Sequence, residues 1–262
     1  MIITLLSDFG MQDNSVAVAK GLLKQQIPDA TLIDISHEVQ PFNLLQCSYM
    51  LAGSYANFPK GTVHLSLFDT MNHHPANILV TEIAGQFIIS ADNGLLPLAF
   101  NQNLVSVFSS EKIPGDYHSW LLQAIMMIKE LEANSFEIGS FLIPYTPLVY
   151  PVKLQPIVKD NSLECQVMHI DRFENVVVNI TRDYFEAFRQ GRKFAIIVAR
   201  NTPIHKISES FAGITAAEPY AMFNTAGYLE VSIYRGNAAS LFGIQLHNDK
   251  ALVYQNIKID FE

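Results

Sequence analysis

Three short apolar runs in the first third of the chain each end in a residue able to do chemistry. Asp8 follows residues 2–7, His37 follows residues 31–35 after Ser36, and Asp69 follows residues 62–68. A polar side chain at such a place can cap the helix that comes next. It can also face the crevice beyond the carboxyl ends of parallel strands, where α/β proteins bind ligands. Three polar ends directed at one crevice favour a binding or acid–base site. Asp13 stands just before a helical pattern, where a carboxylate stabilises the helix start by ~0.3–1 kcal/mol. The adjacent His73 and His74 lack a third histidine or a carboxylate at ligand spacing, so no metal site is expected. In the second half, Asp171-Arg172-Phe173-Glu174-Asn175 and Asn224-Thr225-Ala226-Gly227 both carry turn chemistry.

The elements that must position these residues follow from periodicity. Residues 2–7, 31–35 and 62–68 read as strands, and 16–23 and 44–58 read as helices closed by Pro28 and by Pro59-Lys60-Gly61. Residues 78–83 and 86–90 form a strand pair, and 121–132 is an amphipathic helix. The alternation predicts an α/β N-terminal domain, residues 1–150, with a largely parallel sheet between helices. Pro144, Pro147, Pro151 and Pro156 then mark a boundary. Beyond it, runs at 163–169, 176–180, 194–198, 228–234 and 251–257, with one helix at 183–189 ended by Gly191, predict a smaller β-rich domain, residues 157–262, antiparallel and barrel-like.

Composition limits the partners. The chain has 262 residues and a formal net charge of −8, with no basic block, which argues against nucleic acid and anionic membranes. A hydrophobic fraction of 49% against 16% charged is enough for packed cores. No apolar run is long enough to span a bilayer. The first residues read as a strand, not a signal peptide, so cytoplasm is the expected location. Asn179-Ile180-Thr181 matches a glycosylation acceptor, but the match has no meaning without secretion. Cys47 and Cys165 are too few for a disulfide framework.

Taken in order, several segments resemble one family. They are Ser7-Asp8-Phe9-Gly10 with Asp13-Asn14-Ser15-Val16 and Lys20-Gly21; Ile33-Asp34-Ile35-Ser36-His37 with Pro41-Phe42; Gly61-Thr62-Val63-His64 leading to Asp69; and Asp92-Asn93-Gly94-Leu95-Leu96. They continue in Ile170 to Asn175 with Val178-Asn179-Ile180, in Asn224 to Glu230, and in Arg235-Gly236-Asn237-Ala238-Ala239. The set is similar to the S-adenosyl-L-methionine hydrolases, or hydroxide adenosyltransferases, whose relatives are fluorinases and chlorinases.

The resemblance implies a homotrimer in which each site lies between the N-domain of one subunit and the C-domain of its neighbour. It implies displacement of L-methionine from ribose C5′ by water or hydroxide, giving adenosine, without a cofactor. It assigns Asp8 to the ribose hydroxyls, Asp13 and Asp171 to the methionine ammonium, and Phe42 to the ribose and nucleophile pocket. Phe173 and Phe211 would sandwich adenine, Asn175 would read its edge, and the backbone at Asn237 and Ala238 would complete that contact. Thr225 falls at the methionine carboxylate, and Asn93 and Asn224 belong to the substrate-binding set.

The family follows its strand-end aspartate with a Pro-Gly-rich loop and an arginine. Here Asp69 is followed by Thr70-Met71-Asn72-His73-His74-Pro75-Ala76-Asn77, with no arginine. The family's aromatic-His-Gly-Arg-Asp stretch is matched by Tyr117-His118-Ser119-Trp120-Leu121, which keeps the histidine and loses the Arg-Asp. Asp69 and His118 are therefore the expected water-activating pair, with His73 or His74 standing in for the arginine. Two other outcomes stay open: a binding protein that has lost catalysis, and an enzyme with another adenosyl substrate or nucleophile.

Overall fold

The computed structural model describes residues 1–70, 77–110, 115–149, 155–198, 203–210, 212–246 and 256–262. The chain divides into two compact units, Met1–Val152 and Lys153–Glu262.

The first unit is a mixed sheet with helices on both faces. In chain order it contains β1 (Ile2–Leu6), α1 (Ser15–Gln26), β2 (Thr31–Ser36), α2 (Leu44–Ser54), β3 (Val63–Ser66), β4 (Ile78–Ile83), β5 (Gln86–Ala91), α3 (Leu95–Phe100), β6 (Val107–Ser109), α4 (Tyr117–Ala133) and β7 (Ile143–Pro144). The sheet order is β2-β1-β3-β5-β4-β6-β7. Strands β2, β1, β3 and β5 are parallel, while β4, β6 and β7 join antiparallel. Alternation along the strands feeds two cores. Ile3, Leu5, Ile78 and Val80 pack with Ala19 and Leu23 of α1 and with Trp120, Leu121 and Ile128 of α4. Leu6, Leu79 and Ile88 pack with Cys47 and Leu51 of α2 and Leu95 and Leu96 of α3. Burial on both faces explains why these strands read as continuous apolar runs.

The second unit holds β8 (Ile157–Lys159), β9 (Ser162–Ile170), β10 (Val176–Thr181), α5 (Arg182–Arg189), β11 (Phe194–Ile197), β12 (Pro219–Phe223), β13 (Tyr228–Ile233), α6 (Ala238–Phe242) and β14 (Asn256–Phe261). Its sheet is antiparallel throughout, ordered β11-β14-β9-β10-β13-β12 with β8 also on β9, and forms a half-barrel. Phe185 of α5 is the centre of its core, with Phe194, Phe223 and Phe261 rings 5.2, 5.7 and 5.8 Å away. Among the described residues, no helix is long and apolar enough to cross a membrane.

The expected elements of both units are present with shifted ends. Helix α4 starts at Tyr117, one turn before the expected 121, because Asp116 caps it: the Asp116 carboxylate accepts from Ser119 N at 2.7 Å, and Ser119 Oγ accepts from Asp116 N at 3.1 Å. The final strand runs to Phe261 rather than ending at 257, and residues 251–255 of the expected run lie outside the described residues. The short elements α3, β6, β7, β8, β12 and α6 carry too few residues to show a period. Two of them begin or end in proline, Pro219 of β12 and Pro144 of β7, and both are edge strands, where a missing N–H is tolerated.

Candidate active site

The first unit builds a cleft at the carboxyl ends of its parallel strands. Strands β2, β1 and β3 are neighbours in register, so their ends emerge at one edge. The cleft measures about 580 Å³ and is lined by Asp8, Phe9, Ser15, Pro41, Phe42, Asp69, Thr70 and Tyr117. Asp8 follows β1, Asp69 follows β3, and Phe42 comes from the loop between β2 and α2.

Two of these residues sit in backbone conformations that L side chains rarely adopt. Phe42 has φ 63° and Asp69 has φ 43°. Such positions cost about 1–3 kcal/mol each and persist only where the surroundings impose them. Asp8 helps to impose the first: its carboxylate accepts from Phe42 N at 3.3 Å. Asn93 holds the second. Its Nδ2 donates to Phe68 O at 2.8 Å and Asp69 O at 3.5 Å, while its Oδ1 accepts from Leu95 N at 3.1 Å. Asn93 is thus buried behind the Asp69 turn and is not among the residues lining the cleft. Phe42 is 58% exposed, an aromatic ring standing in the cleft rather than in a core.

Burial pushes the Asp8 carboxyl above its ordinary value, although the backbone N–H groups of Phe42, Asp8 itself and Asp69 pull it back. Cys47 lies fully buried near both carboxylates. Burial drives its thiol far up, a hydrogen bond with Ser66 opposes this, and the charges of Asp8 and Asp69 add to it. The thiol therefore stays protonated and inert.

His37 does not join the cleft. It is 4% exposed, its Nδ1 is 2.7 Å from Ser7 Oγ, and its Nε2 is 3.1 Å from Asp34 Oδ1, an ion-pair distance without hydrogen-bond alignment. Asp34 in turn binds Lys20 at 2.6 Å. This chain braces the end of β1 against β2 from behind, and Ser7 is fully buried, out of reach of a substrate. Asp13 is exposed and accepts from Ser15 N at 2.8 Å, which is the helix-start role; it does not line the cleft. His118 is exposed on the first turn of α4 and also lies off the cleft wall, whereas its neighbour Tyr117 lines it. His73 and His74 lie outside the described residues. Among the described residues, no three His, Cys, Asp or Glu side chains are grouped to hold a metal ion.

The second unit builds a platform from two turns. Asp171 accepts from Phe173 N, Asn175 N and Asn175 Nδ2, each at 2.9 Å. Glu174, at φ 61°, accepts from Asn237 Nδ2 at 2.8 Å and Ser240 N at 2.9 Å, and its carbonyl accepts from Ala239 N at 3.0 Å. The loop before α6 is thereby tied to the loop between β9 and β10. Phe173 stands out from this platform at 75% exposure, while the Ala238 side chain is in the core. Asn224 Oδ1 accepts from Ala226 N and Tyr228 N at 3.0 and 3.1 Å, leaving Thr225 exposed at the turn tip. Phe211 lies outside the described residues. Near Asp171, burial raises the Glu230 carboxyl, opposed by Ser232 and Asn224 and reinforced by the Asp171 charge.

Sequence reasoning missed Tyr117, Glu174 and Glu230 as parts of these surroundings. Tyr117 and Glu174 each sit beside a residue that was singled out, so adjacency was the available signal. Glu230 is in a strand, where alternation marks a polar residue as outward-facing and gives no hint of burial.

The folds and the cleft define a two-unit protein, one α/β and one antiparallel half-barrel, with a cleft in the α/β unit walled by carboxylates and aromatics. Comparison with known proteins agrees. The profile described as SAM hydroxide adenosyltransferase N-terminal domain matches residues 3–119, and that of the C-terminal domain matches residues 165–250. The chain belongs to the S-adenosyl-L-methionine hydroxide adenosyltransferase family. It is 27% identical over 267 residues to the (R)-S-adenosyl-L-methionine hydrolase of Methanocaldococcus jannaschii, covering 97% of this chain and 96% of that one. It is 37% identical over 282 residues to a fluorinase of Actinopolyspora mzabensis, covering 92% of each. Among solved structures, an uncharacterized conserved protein from Thermotoga maritima superposes with a TM-score of 0.80 at 23% identity, over 99% of this chain and all of that one, a likeness of fold.

Proposed function

We propose that this chain hydrolyses S-adenosyl-L-methionine to adenosine and L-methionine by in-line attack of water at ribose C5′. The observation that carries the reading is the pair of aspartates, Asp8 and Asp69, on one cleft wall with the exposed Phe42 ring between strand ends. In the reaction the C5′–O bond forms as the C5′–S bond breaks. The electron pair stays on sulfur, which leaves as a neutral thioether, so no general acid is needed. One water proton passes to a base and the other remains on the 5′-hydroxyl. What the protein must supply is alignment and a dry pocket, effects worth ~7–11 kcal/mol in favourable systems.

In this reading Asp8 takes the ribose hydroxyls, and Asp69 accepts a proton of the attacking water. Asp171, close to the half-buried Glu230, takes the methionine ammonium; a cation there relieves the repulsion between the two carboxylates. Asp13 reaches the same ammonium once it leaves its helix-start bond. Phe173 with Phe211 stacks adenine, and Asn175 with the backbone at Asn237 and Ala238 reads its edge. Thr225 meets the methionine carboxylate from the turn that Asn224 shapes. His118, with His73 or His74, assists Asp69. The protein works as a cytoplasmic homotrimer whose neighbouring subunits share each site. A carboxylate at Asp69 repels halide, which favours water over the nucleophile of the fluorinases.

Chromatography of a reaction with purified protein tests the reading: adenosine and methionine appear in equal amounts, and Asp69→Ala abolishes them with ligand affinity little changed. Unchanged turnover in Asp69→Ala removes this residue from the mechanism. The absence of arginine after Asp69 supports a second reading, an adenosyl-binding protein without turnover. Tight calorimetric binding with no product after long incubation selects it. Turnover of a different adenosyl compound or with halide selects another substrate or nucleophile.

A further inference from the structure

Tyr117 is placed by three separate constraints. The Asp116–Ser119 capping box sets the first turn of α4, where Tyr117 is the first residue. Its ring meets Phe9 edge-on, with centroids 5.5 Å apart and planes at 90°. Its side chain lines the cleft together with Asp8, Asp69 and Phe42. The hydroxyl oxygen at the end of this fixed ring is buried and has no hydrogen-bond partner among the described residues.

A buried hydroxyl left unpaired costs about 1–3 kcal/mol. Phenylalanine would give the same ring contact with Phe9 without that cost, so packing does not account for the oxygen. Burial also lifts the phenol to about 12, so it is protonated at neutral pH and acts as a neutral partner that carries both a donor and lone pairs. A neutral group suits this position better than a third anion beside Asp8 and Asp69. His118, the neighbouring residue, is exposed and does not line the cleft.

We propose that the Tyr117 hydroxyl is a catalytic hydrogen-bonding group of this cleft, holding the attacking water together with Asp69 in the place where the chain lacks an arginine. The inference rests on the hydrolase reading and deepens it. The water gives one hydrogen bond to the Asp69 carboxylate and the second to Tyr117 Oη, which leaves a lone pair aimed at C5′. As C5′–O forms and C5′–S breaks, the first proton moves to Asp69 and the second stays on the 5′-oxygen. Tyr117 itself neither gains nor loses a proton.

The test is Tyr117→Phe, which keeps the ring against Phe9. Its kcat for adenosine formation is expected to fall about tenfold to a hundredfold, with KM within about twofold. A parallel measurement uses protein labelled with 13C at the tyrosine Cζ carbons. The resonance missing from the variant identifies Tyr117, and saturating S-adenosyl-L-methionine is expected to move it in the parent protein. Equal kcat in parent and variant overturns the role of Tyr117 and leaves the hydrolase reading standing. With turnover in the parent, an unmoved Tyr117 resonance also overturns the assignment; a parent that binds the ligand without turnover overturns the hydrolase reading and the catalytic role of Tyr117 together. A parent that neither binds nor converts S-adenosyl-L-methionine overturns both.

Discussion

Asp8 carries opposite demands. In its proposed role at the ribose hydroxyls the carboxylate is useful when ionised, yet burial in the cleft wall raises its pKa and the folded protein holds its charge at a cost. The sign of the pH effect follows. With the folded value above the ordinary 3.8, ionised Asp8 subtracts from stability at every pH above that range, and the penalty disappears once both states are protonated. Asp8→Asn should therefore melt higher than the parent at pH 7, with the gain vanishing below about pH 4, while adenosine binding is lost. Calorimetric melting at the two pH values, with binding measured alongside, checks both parts; an Asn variant that melts lower at pH 7 contradicts the argument. The left-handed backbones of Phe42 and Asp69 follow the same logic. These two strained residues face the cleft beside Asp8, and hydrogen bonds with Asp8 and Asn93 hold the backbone around them.

At the scale of elements, the turn after β3 depends on a residue from the start of α3. Asn93 binds the carbonyls of Phe68 and Asp69, although the residues are separated by a strand pair in the chain. Asn93→Ala leaves the buried Phe68 carbonyl without that donor, a loss of about 1–3 kcal/mol. Because the same bond sets the Asp69 turn, kcat should fall at least tenfold, about the cost of a small misplacement at a reacting centre. Denaturant unfolding and steady-state kinetics on one preparation measure the two together. A variant that loses stability but keeps full activity would show that Asp69 holds its position without Asn93. The sheet supplies the rest of the geometry: only because β2, β1 and β3 are parallel neighbours do their ends meet.

At the scale of the whole molecule, a polar chain runs through the interior of the parallel sheet. His64 of β3 has Nδ1 2.7 Å from Thr4 Oγ1 of β1 and Nε2 2.7 Å from Gln86 Oε1 of β5, and it is fully buried. Burial lowers its pKa, partly opposed by Gln86, so the folded state prefers the neutral ring. The unfolded chain binds the proton first, near its ordinary 6.5, and stability is then lost as pH falls below that value. The melting temperature should drop between pH 7 and pH 5, and His64→Gln should flatten that part of the profile. An identical slope in the variant assigns the pH dependence to other groups.

Periodicity determined the long elements and the fold class. Strands buried on both faces, an amphipathic helix at α4 and short alternating runs after the proline-rich boundary each follow from local chemistry that needs no knowledge of distant residues. The polar residues at the ends of β1 and β3 were legible for the same reason. What they touch was not. Asp8 meets Phe42 across 34 positions and Glu174 meets Asn237 across 63, and neither turn alone specifies its partner. His37 had the same sequence credentials as Asp8, yet Ser7 and Asp34 draw it inward. His118 was the residue expected at the site and Tyr117 was not, yet with the phase of α4 set by the Asp116 cap it is Tyr117 that lines the cleft while His118 is exposed. Residue type and spacing decide which groups could act; only the pairing of strands and the rotation of helices decide which of them face the same space.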